Sequence, residues 1–129
     1  MYSDLNVFRT AHAMTRHAGA RQAVIARNMA NADTPGFKAM DLRPFADLVR
    51  DGQSPVGMRA SRPGHLHGHP DVGSPRAETD RSAPGDPNGN SVSLEAEMVK
   101  AVEVKRQHDR GLAITRSALT ILRGAIGRR

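Results

Sequence analysis

Three histidines at alternate positions, His65, His67 and His69, are the strongest candidates for metal ligands in this chain. Alternate side chains of an extended strand share one face, so three imidazoles in this pattern could bind a Zn²⁺, Ni²⁺ or Cu²⁺ ion. Glycines and a proline interrupt the segment, however, and no nearby carboxylate is placed to orient the rings as metal-bound histidines usually require. The pattern favours an exposed loop with incidental histidines, and we predict neither a metal site nor a cofactor.

Catalytic residues are equally poorly indicated. The chain has no cysteine, which excludes disulfides, thiolate metal sites and cysteine nucleophiles. No glycine-rich phosphate-binding motif occurs, and Glu95 and Glu97 are two positions apart on a predicted helix, so their carboxylates face different directions. Aromatic residues make up only 3% of the chain, too few to build the apolar pocket of an enzyme. The sequence therefore predicts a protein that is not an enzyme.

Composition divides the 129 residues into three parts. The chain has 12 glycines and 8 prolines, and thirteen of these residues lie in residues 51–90. Both ends of the chain are basic and account for the net charge of +6. We expect an N-terminal helix with its following turn in residues 1–36, an extended or partly disordered middle in 37–90, and a C-terminal helix in 91–129. No stretch approaches the roughly 20 apolar residues of a membrane span.

The N-terminal helix is predicted over residues 4–32, with Ser3 or Asp4 as its N-cap. Small and apolar residues recur in it at a spacing close to a heptad, which predicts a packing seam at Phe8, Ala11, Ala18 and Ile25. After the helix, Pro35 and Gly36 favour a type II turn, because glycine tolerates the positive φ that this turn requires. An extended stretch, broken by Pro44, is expected over residues 37–48.

The C-terminal helix carries the clearest periodicity in the chain and is predicted over residues 93–126, with Ser93 as the N-cap. Alternating steps of four and three residues place apolar side chains on one stripe, whose predicted seam residues are Leu94, Met98, Ala101, Leu112, Leu119, Leu122 and Ile126. The fold class that follows is mainly α, with two long antiparallel, coiled-coil-like terminal helices joined by an irregular or small β middle segment. Two helices share only one seam, so the middle segment or other subunits must cover what remains.

A basic protein with long helices could also bind nucleic acid, and this alternative rests on a sequence pI near 11 and on basic residues along the C-terminal helix. Those residues are Lys100, Lys105, Arg106, Arg110 and Arg116. Acidic residues alternate with them, and no aromatic residues suited to base stacking accompany them, which is more typical of a solvated or interface face. We keep a small basic helical nucleic-acid-binding protein as the alternative function and expect no nucleic-acid partner.

The end of the N-terminal helix combines small residues, asparagines and a turn. Ala30 and Ala32 would permit close approach of another helix, while Asn28 and Asn31 can hydrogen-bond to the backbone where the helix ends. Phe37 follows the Pro-Gly turn and could pack it against an apolar neighbour. On its own, this pattern also fits an ordinary helix C-terminus followed by a turn.

The run A-R-N-M-A-N-A-D-T-P-G-F-K at residues 26–38 closely resembles the N-terminal signature of bacterial flagellar rod and hook proteins. Residues 62–66 (R-P-G-H-L) and 86–95 (D-P-N-G-N-S-V-S-L-E) resemble two further passages of the basal-body rod proteins, so the likeness covers most of the chain. The residues that it marks as the assembly signature are Asn28, Ala30, Asn31, Ala32, Asp33, Thr34, Pro35, Gly36 and Phe37.

The resemblance implies a structural, self-assembling component of the flagellar rod that serves cell motility by transmitting torque. It implies a place in the basal body, in the periplasmic space, after type III export without a cleaved signal peptide; the N-terminus indeed lacks the basic and apolar regions of a secretory signal. The implied partners are other copies of the chain, other rod proteins, the adaptor FliE, the MS ring and the flagellar type III export apparatus.

Overall fold

The computed structural model describes residues 2–52, 76–80 and 85–127. The elements follow the order α1 (Tyr2–Ala30), β1 (Met40–Leu42), α2 (Phe45–Gly52), β2 (Ala77–Thr79) and α3 (Leu94–Ile126). The predicted fold class is confirmed: two long helices flank a middle with one small sheet. The three alternate histidines, His65, His67 and His69, and the run at 62–66 lie outside the described residues.

Helices α1 and α3 pack against each other in antiparallel orientation. Gly111 lies against Ala11, whereas Glu97, fourteen residues earlier in α3, meets Asn28 near the other end of α1. The fully buried cluster between them consists of Ala18, Ile25 and Val104. The residues of each helix at the contact recur every seven positions, at 11, 18 and 25 in α1 and at 97, 104 and 111 in α3. This heptad spacing is that of a coiled-coil seam.

The predicted seam residues lie at the contact between the helices in α1 but mostly beside it in α3. In α1, Ala11, Ala18 and Ile25 are buried and Phe8 is half-buried, as expected for contact residues. In α3, only Ala101 packs against the buried cluster. The other predicted seam residues are 37–79% exposed; they are Leu94, Met98, Leu112, Leu119, Leu122 and Ile126. The stripe therefore lies beside the contact with α1, and its role in assembly stays a prediction.

The predicted start of α3 is confirmed and that of α1 is corrected. Ser93 is the N-cap of α3, with extended φ and ψ of −98° and 118°, and its hydroxyl accepts a hydrogen bond from the Ala96 N–H at 3.4 Å. Helix α1 instead begins at Tyr2, so Ser3 and Asp4 lie within it and neither serves as the N-cap.

The described residues of the middle of the chain form a two-stranded antiparallel sheet and a short helix. Strands β1 and β2 pair with Asp41 opposite Glu78 at the centre of the register. The expected extended stretch over residues 37–48 is wrong beyond Pro44, where α2 begins. The Pro44 carbonyl accepts from the N–H groups of Asp47 and Leu48 at 3.1 and 3.3 Å, so this proline starts a helix instead of interrupting a strand. Within the described residues, no helix has both the length and the apolar character that a membrane span needs.

Candidate assembly site: the junction of the helix ends

The last turn of α1 tightens before the helix ends. The N–H groups of Asn31 and Ala32 donate to the carbonyls of Asn28 and Met29, three residues back, at 3.0 and 3.3 Å. The Asn31 side chain donates from Nδ2 to the Arg27 carbonyl at 2.7 Å. These bonds satisfy carbonyls that a helix end leaves without partners, and they end α1 two residues before the predicted boundary at Ala32.

The turn after α1 has the predicted geometry. The Phe37 N–H donates to the Thr34 carbonyl at 3.3 Å, and Gly36 at the third position has a φ of 74°. Pro35 at the second position and a positive φ at the third are the features of a type II turn. Because residues with a Cβ rarely adopt this φ, the position favours glycine.

Asn28 joins three elements at the centre of the junction. Its side chain is fully buried and binds both backbone groups of Met40, with Nδ2 donating to the carbonyl at 2.7 Å and Oδ1 accepting from the N–H at 3.1 Å. The carboxamide thus pairs with β1 as a neighbouring strand would. The same Nδ2 donates to Glu97 Oε2 at 3.0 Å and so ties α1 to α3.

A second buried asparagine, Asn90, closes the junction from the side of α3. Its Nδ2 donates to the carbonyls of Asn31, Ala32 and Thr34 at 2.5–3.1 Å. Its Oδ1 accepts from the Val92 N–H at 2.8 Å. One side chain therefore binds three carbonyls of the turn that follows α1 and holds the chain that leads into α3.

Two tight turns meet where the chain approaches α3. Gly89 has a φ of 79°, and a Cβ at this position would lie 3.5 Å from Gly36 Cα. The Gly36 N–H donates to the Asn88 carbonyl at 3.1 Å. Glycine at both positions allows the two backbones to make direct contact.

Three further bonds extend this contact along residues 37–39. The Ser91 N–H donates to the Phe37 carbonyl at 3.0 Å, and the Ala39 N–H donates to Ser91 Oγ at 2.9 Å. Lys38 Nζ donates to the Gly89 carbonyl at 2.8 Å. The segment after α1 and the segment before α3 are thus joined along their length.

A network of charged side chains lies beside Asn28. Arg21 binds Asp41 through two bonds of 2.7 Å, one to each carboxylate oxygen. Lys100 donates to Asp80 and to Glu97, both at 2.9 Å, and lies 3.8 Å from Asp41. The five side chains come from α1, β1, the end of β2 and α3, so the network links all four segments.

The pKa values of three groups in the network, Asp41, Lys100 and Arg21, are shifted towards the charged forms. Burial alone would raise the pKa of Asp41, but hydrogen bonds from Arg21 and from a backbone N–H outweigh burial and lower this pKa. Burial would lower the pKa of Lys100, but its bonds to Asp80 and Glu97 outweigh burial and raise it. The bond to Asp41 likewise raises the pKa of Arg21. Opposite charges at short range account for these directions.

His17 connects α1 to the start of α2. Its Nε2 lies 2.9 Å from the Arg43 carbonyl, which makes Nε2 the protonated nitrogen of the neutral ring, and the ring packs against Phe45 at 5.6 Å between centroids. Nδ1 is buried and has no hydrogen-bond partner among the described residues. Burial lowers the pKa of His17, and the nearby Arg21 guanidinium acts in the same direction.

Small residues bring the two long helices close together near Gly111. A Cβ on Gly111 would lie 2.5 Å from Thr15 Oγ1 and 3.3 Å from the Ala11 carbonyl oxygen. Helix α1 therefore occupies the space that any larger side chain would need. The close approach explains why a glycine, which disfavours helix, lies within α3.

The predicted signature residues divide into a buried and an exposed set. Asn28 is buried, and Asn31, Ala32 and Phe37 are half-buried. The remaining residues face outward: Ala30, Asp33, Thr34, Pro35 and Gly36. The expected backbone hydrogen bonds of both asparagines are confirmed, whereas the roles of the signature residues in assembly stay predictions.

Sequence reasoning missed several residues that build the junction. They are Arg21, Asp41, Asp80, Asn90, Glu97 and Lys100. The spacing of Glu97 and Lys100, three residues apart with opposite charges on a helix, was a usable signal for one pair. Nothing in the local sequence indicated that Asn90 would bind the end of α1.

The alternative chemistries gain no support from the geometry of the described residues. In residues 2–52, 76–80 and 85–127, no group of three His, Asp or Glu side chains is placed to hold a metal ion. Lys100, one of the five basic residues considered for nucleic-acid binding, pairs with carboxylates within the fold.

Comparison with known proteins identifies the family to which the chain belongs. A family model described as flagella basal body rod protein matches residues 12–38, which span much of α1 and the turn. The flagellar basal body rod protein FlgB of Agrobacterium fabrum is 34% identical over 117 residues, covering 88% of this chain and 87% of the relative. FlgB of Escherichia coli is 31% identical over 101 residues and 72% of each chain, and FlgB of Salmonella typhimurium is 28% identical over 77% of each. The chain belongs to the FlgB family of flagellar basal body rod proteins.

Proposed function

We propose that this chain is a structural subunit of the proximal rod of the flagellar basal body. It polymerises through its terminal helices and carries torque from the motor ring towards the hook, without catalysing a reaction. Membership of the FlgB family supports the structural role, and the packing of α3 supports assembly through the helices.

The observation that carries the assembly proposal is the apolar surface on the second half of α3. Six large apolar side chains there are 37–79% exposed: Leu112, Ile114, Leu119, Ile121, Leu122 and Ile126. At 3.6 residues per turn, positions 114 and 121 lie on the opposite flank of the helix from 112, 119 and 126, so this half of α3 exposes apolar side chains on both flanks. Monomeric soluble proteins rarely expose large apolar surfaces, and such surfaces commonly mark protein interfaces. Helix packing between subunits would remove them from water.

The start of α1 and the end of α3 also form a cavity that could receive a side chain from another subunit. A cavity of about 320 Å³ opens between the start of α1 and the end of α3, next to Phe8, Ile114 and Leu122. Its apolar lining fits a side chain from another subunit. We infer that the neighbours include other copies of this chain, other rod proteins, the adaptor FliE and the MS ring.

The proposed location is the periplasmic part of the basal body, reached through the flagellar type III export apparatus. A deletion strain tests the function directly, by electron cryotomography of its basal bodies. The expected result is an MS ring without rod or hook, in non-motile cells that regain a rod when the gene is restored. Complete rods in the deletion strain would contradict the proposal, and DNA binding with a steep salt dependence would favour the nucleic-acid alternative.

A further inference from the structure

Asn88 and Gly89 form the single Asn-Gly pair in the sequence. This pair is chemically labile because glycine carries no side chain to hinder its own backbone nitrogen from attacking the preceding side-chain amide. The attack needs a nitrogen whose proton can leave and an amide carbon that the nitrogen can approach. Both groups have defined partners in the fold.

We propose that Asn88 is a deamidation site whose reactivity is controlled by the fold: slow while the turn at residues 86–90 is docked on the turn after α1, and fast when it is released. In the reaction, the Gly89 nitrogen loses its proton and bonds to Asn88 Cγ, and the side-chain nitrogen leaves as ammonia. Water then opens the resulting succinimide ring. Breaking the Cγ–N bond gives aspartate, and breaking the bond to the backbone carbonyl gives isoaspartate.

The docked turn restrains the attacking nitrogen. The Gly89 N–H donates to the Asp86 carbonyl at 2.8 Å, which closes the turn. A hydrogen bond to the carbonyl disfavours loss of this proton, so the nitrogen is a poorer nucleophile while the turn is closed.

The docked turn also restrains the amide under attack. Asn88 Oδ1 accepts from the Asn90 N–H at 2.8 Å, so the side chain points along the turn. The Asn88 carbonyl accepts from the Gly36 N–H at 3.1 Å, and Asn90 is itself bound to the end of α1. Rotation of Cγ towards the Gly89 nitrogen therefore requires these bonds to break.

The two products would affect the junction differently. Aspartate keeps an oxygen that can accept from the Asn90 N–H. Isoaspartate inserts a methylene group into the backbone, which displaces the Asn88 carbonyl from Gly36 and the Gly89 carbonyl from Lys38. Isoaspartate formation would thus loosen the contact between the two turns, whereas aspartate would largely preserve it.

Mass spectrometry of the purified full-length chain tests the proposal, after incubation at mildly alkaline pH either folded or in concentrated urea. At least two hydrogen bonds must break before the attack: the bond from the Gly89 N–H to Asp86 and the bond from the Asn90 N–H to Asn88 Oδ1. We therefore expect deamidation of Asn88 to be at least about tenfold slower in the folded chain than in urea. The slower asparagines at positions 6 and 31 are internal references in the same sample.

The variant Asn90→Ala, which removes the bonds that anchor the turn to α1, is expected to deamidate at Asn88 faster than the native chain without denaturant. Circular dichroism establishes whether this variant is folded, and Asn31→Ala is the control for loss of a hydrogen bond elsewhere at the end of α1. Enzymatic methylation of isoaspartate identifies that product. Equal rates of Asn88 deamidation in the folded and the urea-treated native chain would overturn the proposal, whatever the behaviour of the variants.

Discussion

The Asn28 carboxamide donates to the Glu97 carboxylate at 3.0 Å inside the molecule, across 69 residues of sequence. Asn28 is fully buried and Glu97 is 2% exposed, so neither side chain can take water as a substitute partner. A polar pair in an otherwise apolar helix seam favours the one register in which its members meet. This pair fixes how far α1 and α3 slide along each other.

Replacing Asn28 with alanine should destabilise the fold by about 3 kcal/mol, because hydrogen bonds to charged groups are strong and the buried Glu97 would lose a donor. The bonds to Met40 would be lost as well, which loosens β1. Urea denaturation measures the change in the free energy of unfolding.

Asn31→Ala is the matched control for this substitution, because Asn31 is half-buried and its side chain donates only to a nearby backbone carbonyl, that of Arg27 four residues earlier. Its expected cost is about 1 kcal/mol or less. Equal losses of stability in the two variants would contradict the special role of the Asn28–Glu97 pair.

Replacing Gly111 with alanine should also destabilise the protein, although alanine favours helix by up to about 1 kcal/mol over glycine. The new Cβ would lie 2.5 Å from Thr15 Oγ1 and 3.3 Å from the Ala11 carbonyl oxygen. Either Thr15 would have to change rotamer and lose its bond to Ala11, or α1 and α3 would have to separate. We expect a net loss of about 1–3 kcal/mol, typical of overpacking. Thermal or urea unfolding measures it.

Gly19→Ala provides the opposite case on α1, since nothing lies within 4 Å of the added Cβ. That substitution should raise stability by a few tenths of a kcal/mol to about 1 kcal/mol. If Gly111→Ala stabilised the protein as much as Gly19→Ala, the close contact of the helices at this point would be refuted.

These residues also show which parts of the structure a sequence can predict. The heptad of α1, the Ser93 cap and the turn at Gly36 follow from local rules of periodicity, capping and backbone conformation, and each is present. The α3 side of the seam does not follow, because Glu97 and Gly111 occupy it. A prediction based on apolar residues selects the adjacent Met98 and Leu112 in place of Glu97 and Gly111.

The junction was harder to predict because its bonds connect distant residues. Asn90 binds carbonyls 56–59 residues earlier in the chain. Any exposed asparagine in a loop would give the same local pattern. Only the antiparallel packing of α1 and α3, which brings residues 31–34 beside residue 90, distinguishes this one.

Acidification should weaken the fold through His17. In the unfolded chain this group titrates near its ordinary pKa of 6.5, whereas burial lowers its pKa in the folded chain. Below pH 6.5 the unfolded state therefore binds a proton that the folded state does not, and stability falls as the pH drops towards the lowered pKa. The slope from this one group is at most about 1.4 kcal/mol per pH unit.

His17→Gln should flatten this pH dependence, because glutamine can still donate to the Arg43 carbonyl but does not titrate. The measurement is the free energy of unfolding at a series of pH values from neutral down to about 5, above the range where carboxylates titrate. His12→Gln, at an exposed position of α1, is the control. An unchanged slope in His17→Gln would exclude His17 as the source of the acid sensitivity.

Leu119→Asp, expressed in a deletion background, tests whether the exposed stripe of α3 joins subunits in the rod. Leu119 is 40% exposed in the single chain, so the monomer should fold, and a charge at this position would be costly to bury between subunits. Ala113→Asp, at an exposed position of α3 outside the predicted stripe, is the matched control. The measurement is the fraction of purified basal bodies that carry a rod, scored alongside secretion of each variant. We predict that Leu119→Asp is secreted but yields basal bodies without rods, whereas Ala113→Asp restores rods. Rods at normal frequency with secreted Leu119→Asp would show that the stripe does not join subunits.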